Sequence, residues 1–235
     1  MNTEKLSNRL EAVTNYIPSG ARVADIGSDH AYLPCFTVKK GIVSFAVAGE
    51  VVEGPYQSAK KQVKMEGLEN QISVRKGNGL EVISPNEVDC ITIAGMGGAL
   101  IASILEEGKS KLASVERLIL QPNLSAISIR SWLIENGWEL IAEQILEEDG
   151  KIYEVLVAEK GEPLKPYKNK EQGLLMGPFL MEQKSAVFQN KWHGEKKNWE
   201  RILLQLEKAA CSSETEKRKQ ELKQKIKMAE EVLMQ

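Results

Sequence analysis

Between residues 22 and 136 short apolar runs and helical stretches follow one another in strict alternation, which restricts the chain to few folds. The runs are Arg22 to Gly27, Phe45 to Glu50, Ile72 to Arg75, Val88 to Ala94 and Arg117 to Gln121, with helical patterns at about 31–40, 54–66, 97–108 and 124–136. Strand and helix in that order build right-handed βαβ units, so an α/β domain with a mostly parallel sheet is expected. Two further runs, Trp138 to Leu146 and Tyr153 to Ala158, are joined through Glu148-Asp149-Gly150. Asp-Gly between apolar segments favours a tight turn with positive φ, which predicts an antiparallel β hairpin closing the sheet. A helix precedes the first strand, from Thr3 to about Tyr16. Leu6, Leu10, Val13 and Ile17 form its apolar stripe, Thr3 is the expected N-cap, and Pro18-Ser19-Gly20 stops it.

At 235 residues the chain exceeds one typical domain and falls short of two. The pattern divides it into an α/β domain over 1–160 and an appendage over 161–235. Gly161 to Gly177, with Pro163, Pro166 and Gly173, reads as a linker. Beyond it Phe188, Trp192, Trp199, Leu203, Leu206 and Ala210 recur mostly at helical steps, as do Leu222, Ile226, Ala229 and Leu233. The break around Cys211-Ser212-Ser213-Glu214, with Ser213 as N-cap, predicts two antiparallel helices, a coiled-coil hairpin with the aromatic residues in its seam. Charge divides the same way. Residues 1–159 hold 15 Lys and Arg against 22 Asp and Glu, a balance of −7, whereas residues 160–235 hold 16 against 11, a balance of +5. A basic tail can follow a phosphate backbone; a solvated Lys-rich helical surface is the plainer alternative.

With 42% apolar and 27% charged residues the chain is neither collagen-like nor disordered. No apolar run approaches the roughly 18 residues of a membrane span, and the charged start MNTEKLSNRL lacks the apolar core of a secretory signal. Cys35, Cys90 and Cys211 are widely spaced, and His30 and His193 are the two histidines. Neither a disulfide framework nor a zinc site is expected, and a reducing cytoplasm is the default.

Ligands of open α/β sheets bind beyond the carboxyl ends of the strands. There the first strand ends in Ala24-Asp25-Ile26-Gly27-Ser28-Asp29-His30. Gly27 lets the backbone approach a ligand, and the helix beginning near Ala31 offers unpaired N–H groups. A single glycine falls short of the G-x-G-x-x-G of a dinucleotide site, no G-x-x-x-x-G-K-[ST] occurs, and Asp25 and Asp29 repel a phosphate. Two carboxylates suit the ammonium and sulfonium charges of S-adenosylmethionine (SAM). A doubly wound sheet that ends in a hairpin is also the pattern of SAM-dependent class I methyltransferases, whereas dinucleotide dehydrogenases usually keep the sixth strand parallel. Glu50, 23 positions after Gly27, ends the second strand where a carboxylate accepts from ribose hydroxyls. Asn78, between Gly77 and Gly79 and before Leu80, can face an adenine edge or form a plain turn. Ala94-Gly95-Met96-Gly97-Gly98 ends the fourth strand, and its glycines predict a close approach to a ligand or flipped base, or a tight turn. Gln121 and Asn123 flank Pro122 and can bond a base edge; Asn123 can equally cap the next helix, as Asp29 can cap the one after it.

These motifs carry a resemblance. Over roughly residues 3–160, and again at Gly177-Pro178-Phe179-Leu180, the sequence resembles the bacterial tRNA adenine-22 N1-methyltransferase family, through the run Ala24 to Pro34, Gly95-Met96-Gly97-Gly98 and Gln121-Pro122-Asn123. The resemblance implies a Rossmann-like class I methyltransferase domain over 1–160, SAM as cofactor, and a tRNA substrate methylated at N1 of an adenine in the D-arm–anticodon corner. It also implies that the coiled-coil domain over 161–235 helps to hold the tRNA. Residue reading and resemblance together assign the cofactor to Asp25, Gly27, Ser28, Asp29, His30, Glu50, Asn78, Gly79, Leu80, Ala94, Gly95, Met96 and Gly97. The family usually has Asp where this chain has Asn78; an amide oxygen still accepts from adenine N6, so retained but weaker cofactor binding is expected.

Adenine N1 lies in the Watson–Crick edge, so the target must be unpaired or flipped out. Methylation leaves a positive charge on the base, which Asp29 is placed to stabilise or to relieve of an N6 proton, with His30 the second candidate and Gln121 and Asn123 beside the base. No N-P-P-Y or D-P-P-Y follows the fourth strand, which argues against methylation of an exocyclic amine. A cytoplasmic protein without membrane or metal is expected. A monomer is favoured, although the tail can pair within one chain or between two. Two other readings stay open: a SAM methyltransferase for another RNA or a protein, and a non-catalytic SAM- or RNA-binding scaffold.

Overall fold

The computed structural model describes residues 2–208 and 212–234, and its apolar runs assemble into one sheet within the unit Met1–Pro166. In chain order this unit holds α1 (Asn8–Thr14), β1 (Ala21–Ile26), α2 (Tyr32–Lys39), β2 (Val43–Glu50), α3 (Glu53–Met65), β3 (Ile72–Lys76) and a 3-10 turn at Gly79–Val82. There follow β4 (Cys90–Gly97), α4 (Gly98–Glu107), a second 3-10 turn at Lys109–Ser114, β5 (Arg117–Leu124), α5 (Ala126–Glu135), β6 (Trp138–Glu148) and β7 (Lys151–Lys160). Among the described residues the sheet has seven strands in the order β3-β2-β1-β4-β5-β7-β6. The first five are parallel, and β7 runs antiparallel to β5 and β6. Asp149 and Gly150, both at positive φ, turn β6 into β7 as expected from the Asp-Gly pair.

The central strands are apolar because helices cover both faces: Val23, Ala24, Val47, Ile91, Ile93, Leu118 and Leu120 are all buried. One polar cluster interrupts the core. Arg130 of α5 lies between Glu143 of β6 and Glu154 of β7, with bonds of 2.6–2.8 Å and all three side chains buried. Burial opposes the charge on Arg130, but the two carboxylates hold it firmly protonated. This trio fastens α5, and with it the end of β5, to the closing hairpin.

The first helix differs from the sequence expectation. Ser7 caps α1, its hydroxyl accepting from Leu10 N at 3.3 Å. Asn2 Oδ1 instead draws the N–H groups of Glu4 and Lys5 into a separate turn, and the Thr3 hydroxyl donates to Glu66 Oε1 at 2.5 Å. With its side chain committed to Glu66, Thr3 caps nothing.

The second unit, Tyr167–Gln235, begins later than the 160/161 boundary read from composition. Glu139 retains the intervening residues, pairing with Lys165 Nζ at 2.9 Å and accepting from Glu162 N at 3.1 Å. This unit contains α6 (Lys170–Met176), α7 (Pro178–Gln183), α8 (Ala186–Glu207) and α9 (Ser213–Met234). Part of the supposed linker is therefore helical. Asn169 caps α6, accepting from Gln172 N at 3.2 Å, and Gly177 at φ +90° ends it and leads into Pro178 at the first position of α7. The helices α8 and α9 pack against each other, burying Phe188, Trp192, Leu222, Ala229 and Val232. Lys196 Nζ reaches Glu230 Oε1 at 2.7 Å across this contact. Ser212 rather than Ser213 caps α9, its Oγ accepting from Thr215 N at 3.1 Å. Ala210 and Cys211, which the sequence reading placed at the end of the stripe and at the break, lie outside the described residues.

Candidate functional site

The chain runs outward from β1 through β2 to β3, then returns to the other side of β1 as β4. The connections leave β1 and β4 in opposite directions, and a crevice opens beyond their carboxyl ends. A cavity of about 210 Å³ lies there. Asp25, Gly27, Ser28 and Asp29 line it from the end of β1, Tyr32 and Leu33 from α2, Ala94 and Gly95 from β4, and Arg9 and Leu10 from α1.

Asp25 is 5% exposed, and its carboxylate accepts from the Ser28 hydroxyl at 2.6 Å and the Thr92 hydroxyl at 2.7 Å. Burial raises its pKa above the ordinary carboxylate value, against the opposing pull of both hydroxyls and of the Arg9 charge. Glu50 is 6% exposed and accepts from the backbone N–H of Asp29. Burial raises its pKa as well, and the charges of Asp29 and Asp25 add to the rise. Two buried carboxylates thus stand at the ends of neighbouring strands β1 and β2, where burial disfavours their charged forms. A ligand that brings cationic or hydrogen-donating groups is what such a site stabilises.

The loop after β1 takes an unusual path. Asp29 and Ala31 both adopt left-handed backbone, φ +55° and +54°, which for residues with a Cβ costs on the order of 1 kcal/mol each. This path aims the Asp29 N–H at Glu50 and leaves the Asp29 side chain 66% exposed, 3.7 Å from His30 Nε2. The His30 ring stacks on Tyr32, with centroids 5.2 Å apart. Asp29 does not cap α2, because Ala31 occupies the N-cap position and no side-chain cap bond forms.

At the end of β4, Gly95 has φ +80° and its N–H donates to Gln121 Oε1 at 3.0 Å, while Asn123 Nδ2 donates to Gly95 O at 2.7 Å. Asn123 therefore braces β4 and does not cap α5, whose N-cap position is held by Ser125. The strand β5 continues past Gln121 to Leu124, so Gln121 is fully buried, with its Nε2 donating to Pro122 O at 2.8 Å. It supports the crevice wall and does not present its amide to a base. Met96 lies against Gly27, where an added Cβ would collide with the Met96 Cε. Gly97 faces open space, whereas Gly98 is pressed against the backbone of Leu124 and Ser125.

The structure thus joins Asp25, Gly27, Ser28, Asp29, Ala94 and Gly95 in one cavity, with Glu50 one hydrogen bond away. Asn78, Gly79 and Leu80 line a neighbouring cavity of about 90 Å³ with Ile104 and Lys111. They follow Gly77, whose N–H donates to Glu50 O at 2.9 Å. Leu80 is buried, and the Asn78 N–H donates to Glu81 Oε2 at 2.9 Å. Sequence reasoning missed Arg9, Leu10 and Thr92. Thr92 carries a faint signal, a hydroxyl between Ile91 and Ile93 in a central strand; Arg9 carries none, being one charge on the polar side of an amphipathic helix. Among the described residues no helix is long and apolar enough to cross a membrane, and no group of three or more His, Cys, Asp and Glu is placed to hold a metal ion.

Sheet order, closing hairpin and an acidic crevice at the β1–β4 switch point define a Rossmann-like methyltransferase of class I. The model of the TrmK family, tRNA (adenine(22)-N(1))-methyltransferase, matches residues 23–231. The chain belongs to this family. It is 53% identical over 235 residues to the tRNA (adenine(22)-N(1))-methyltransferase of Bacillus subtilis strain 168, covering 99% of both chains. The crystal structure of the B. subtilis M1A22 tRNA methyltransferase TrmK superposes with a TM-score of 0.95 at 52% identity, over 98% of this chain and 99% of that one. The structure of Streptococcus pneumoniae Sp1610 in complex with S-adenosyl-L-methionine gives 0.87 at 47% identity, over 97% and 100%.

Proposed function

We propose that the chain methylates N1 of adenine 22 in tRNA with SAM as methyl donor, yielding N1-methyladenosine and S-adenosylhomocysteine. The observation that carries this reading is the pair of buried carboxylates, Asp25 and Glu50, at the carboxyl ends of neighbouring strands β1 and β2 beside Gly27. The donor set fits the cofactor: carboxylates for an ammonium, a sulfonium and two ribose hydroxyls, and a glycine that permits close approach. The same set disfavours a pyrophosphate.

When bound, SAM supplies an electrophilic methyl group. Glu50 accepts from its ribose hydroxyls, Asp25 and Ser28 face its cationic end, and Ala94, Gly95, Met96 and Gly97 keep the backbone of β4 close. Asn78, Gly79 and Leu80, which line the cavity after β3, would read its adenine. Asp29 is exposed at the crevice and stabilises the charge that N1 alkylation leaves on the target base, or accepts its N6 proton. His30, stacked on Tyr32 beside Asp29, is the second candidate for this task. Asn123 is exposed and available to the base, and Gln121 positions β4 behind it. The unit Met1–Pro166 forms the catalytic domain in this reading, and the basic residues of Tyr167–Gln235, with α8 and α9 as a coiled-coil arm, hold the tRNA backbone. The cytoplasm, where tRNA resides, is the compartment this reading implies, and a monomer is the favoured state, with pairing of the arm between two chains the alternative.

Methyl transfer from labelled SAM to total tRNA, followed by nucleoside analysis, tests the assignment. Labelled N1-methyladenosine is the expected product. A different labelled nucleoside points to another RNA methyltransferase, and SAM binding without product to a scaffold.

A further inference from the structure

Large apolar side chains exposed singly are ordinary, but three gather at one corner of the first unit. Leu124, the last residue of β5, is 66% exposed; Leu100 in the first turn of α4 is 54% exposed and Ile127 in the first turn of α5 39%. The corner adjoins the crevice, since Leu124 stands in register beside Gly97, two residues beyond the cavity-lining Gly95. A Cβ on Gly97 would meet open space. The strand tip that carries Leu124 is firmly held. Asn123 Nδ2 donates to Gly95 O at 2.7 Å, and Gly98 packs so closely that a Cβ there would lie 3.0 Å from Leu124 O. Ser125 then turns the chain into α5 through left-handed backbone, φ +58° and ψ +46°, a path unfavourable for a residue with a Cβ.

Charge is a second, independent observation. Neither segment that builds the corner, Ile91 to Leu105 or Leu118 to Ile129, contains a charged residue, although acids outnumber bases over residues 1–159. These segments therefore set no carboxylate against an approaching polyanion.

An adenine in a folded tRNA is stacked on its neighbours, and its N1 reaches a methyl donor only when the base leaves the stack. The gap left behind is walled by the faces of two bases. A rigidly held apolar side chain fills such a gap, as Leu, Ile, Met, Phe and Pro wedges do between the base steps of kinked duplexes. We propose that Leu124 is a wedge of this kind, entering the tRNA stack where the target adenine leaves it. Leu100 and Ile127 pack against the flanking nucleotides, and the extruded adenine lies in the open space beside Gly97. The proposal rests on the tRNA methyltransferase reading above and adds to it the residue that keeps the base out of the stack.

The test uses tRNA with 2-aminopurine at position 22, whose fluorescence rises on unstacking, bound to the full chain at saturating protein with S-adenosylhomocysteine present. Single-turnover methylation is measured in parallel on the adenine-containing tRNA. The unsubstituted chain should give a clear rise. Leu124→Ala, at an exposed position, should keep its thermal melt. It should lose most of the fluorescence rise and methylate about 10- to 100-fold more slowly, because the cost of unstacking is no longer offset. Leu124→Met, apolar and of similar volume, should restore most of both. A full rise in Leu124→Ala overturns the proposal: with a normal rate Leu124 has no part in extrusion, and with a slow rate it packs against a base already extruded. Methylation by the unsubstituted chain without any rise overturns it as well. An unsubstituted chain that forms no N1-methyladenosine overturns the tRNA reading itself, a failure visible before any variant is made.

Discussion

Two adjacent glycines at the end of β4 separate the demands of folding from those of the ligand. An ideal Cβ built on Gly97 meets no protein atom within 4 Å, and the residue has φ −71° and ψ 143°, values open to alanine. Gly97→Ala should therefore leave stability unchanged or raise it by about 0.4–1 kcal/mol through the unfolded chain. At Gly98 a Cβ would meet Ser125 C at 2.8 Å and Leu124 O at 3.0 Å, backbone atoms that cannot swing away. Gly98→Ala should cost about 1–3 kcal/mol, as overpacking generally does, and lower the melting midpoint by roughly 2–12 °C for a unit of this size. Thermal melts of both variants, with methyl transfer measured below both midpoints, form the assay. Gly97→Ala should keep its melt and lose most transfer, because the space it fills belongs to ligand or base. A Gly97→Ala protein with normal transfer would remove Gly97 from the site, and one that melts early would refute the geometry of the β4 turn.

Glu50→Gln keeps an oxygen for the Asp29 N–H and removes the charge that receives ribose hydroxyls; SAM affinity should fall by about 1.5–3 kcal/mol in calorimetry, and equal affinity would remove Glu50 from the cofactor site. Asp25 and Glu50 both titrate above the ordinary carboxylate value because they are buried. SAM favours their charged forms, so its affinity should be full well above these raised pKa values and fall as pH drops through them; a fall that begins only at or below the ordinary carboxylate range would contradict this. A chain ending at Pro166, the limit of the first unit, should retain SAM binding and lose most tRNA affinity. Filter binding across a salt series should show a slope of log affinity on log salt shallower by roughly 0.7–0.9 per lost phosphate contact, and full-length affinity and slope in the truncated chain would leave the basic tail without a role in RNA binding.

The sheet was legible because its signals are local and repeated. Each parallel strand is a short apolar run between helical patterns, and Asp149-Gly150 names its own turn. The acids and glycines at the strand ends were legible for a related reason, since βαβ topology places those ends together whatever the loops do. Features that depend on competition or distant packing were hidden. Thr3 and Ser7 are both good caps, and the choice falls to Ser7 because Glu66, distant in sequence, claims the Thr3 hydroxyl. Gly and Pro density between 161 and 177 concealed α6, which exists because Asn169 caps it. Gln121 looked available to a base until the strand was seen to run on and bury it. Arg9 had no sequence signature, since only the docking of α1 beside β4, β5 and β7 brings it to the crevice.

The central claim is the identity of the methylated atom. Two transcripts of one tRNA, with adenine or guanine at position 22, can be incubated with the full chain and labelled SAM, then digested to nucleosides and separately probed for a reverse-transcription stop. The adenine transcript should yield labelled N1-methyladenosine and a stop next to position 22, and the guanine transcript neither. Equal labelling of both transcripts, or label in any nucleoside other than N1-methyladenosine, would contradict the account.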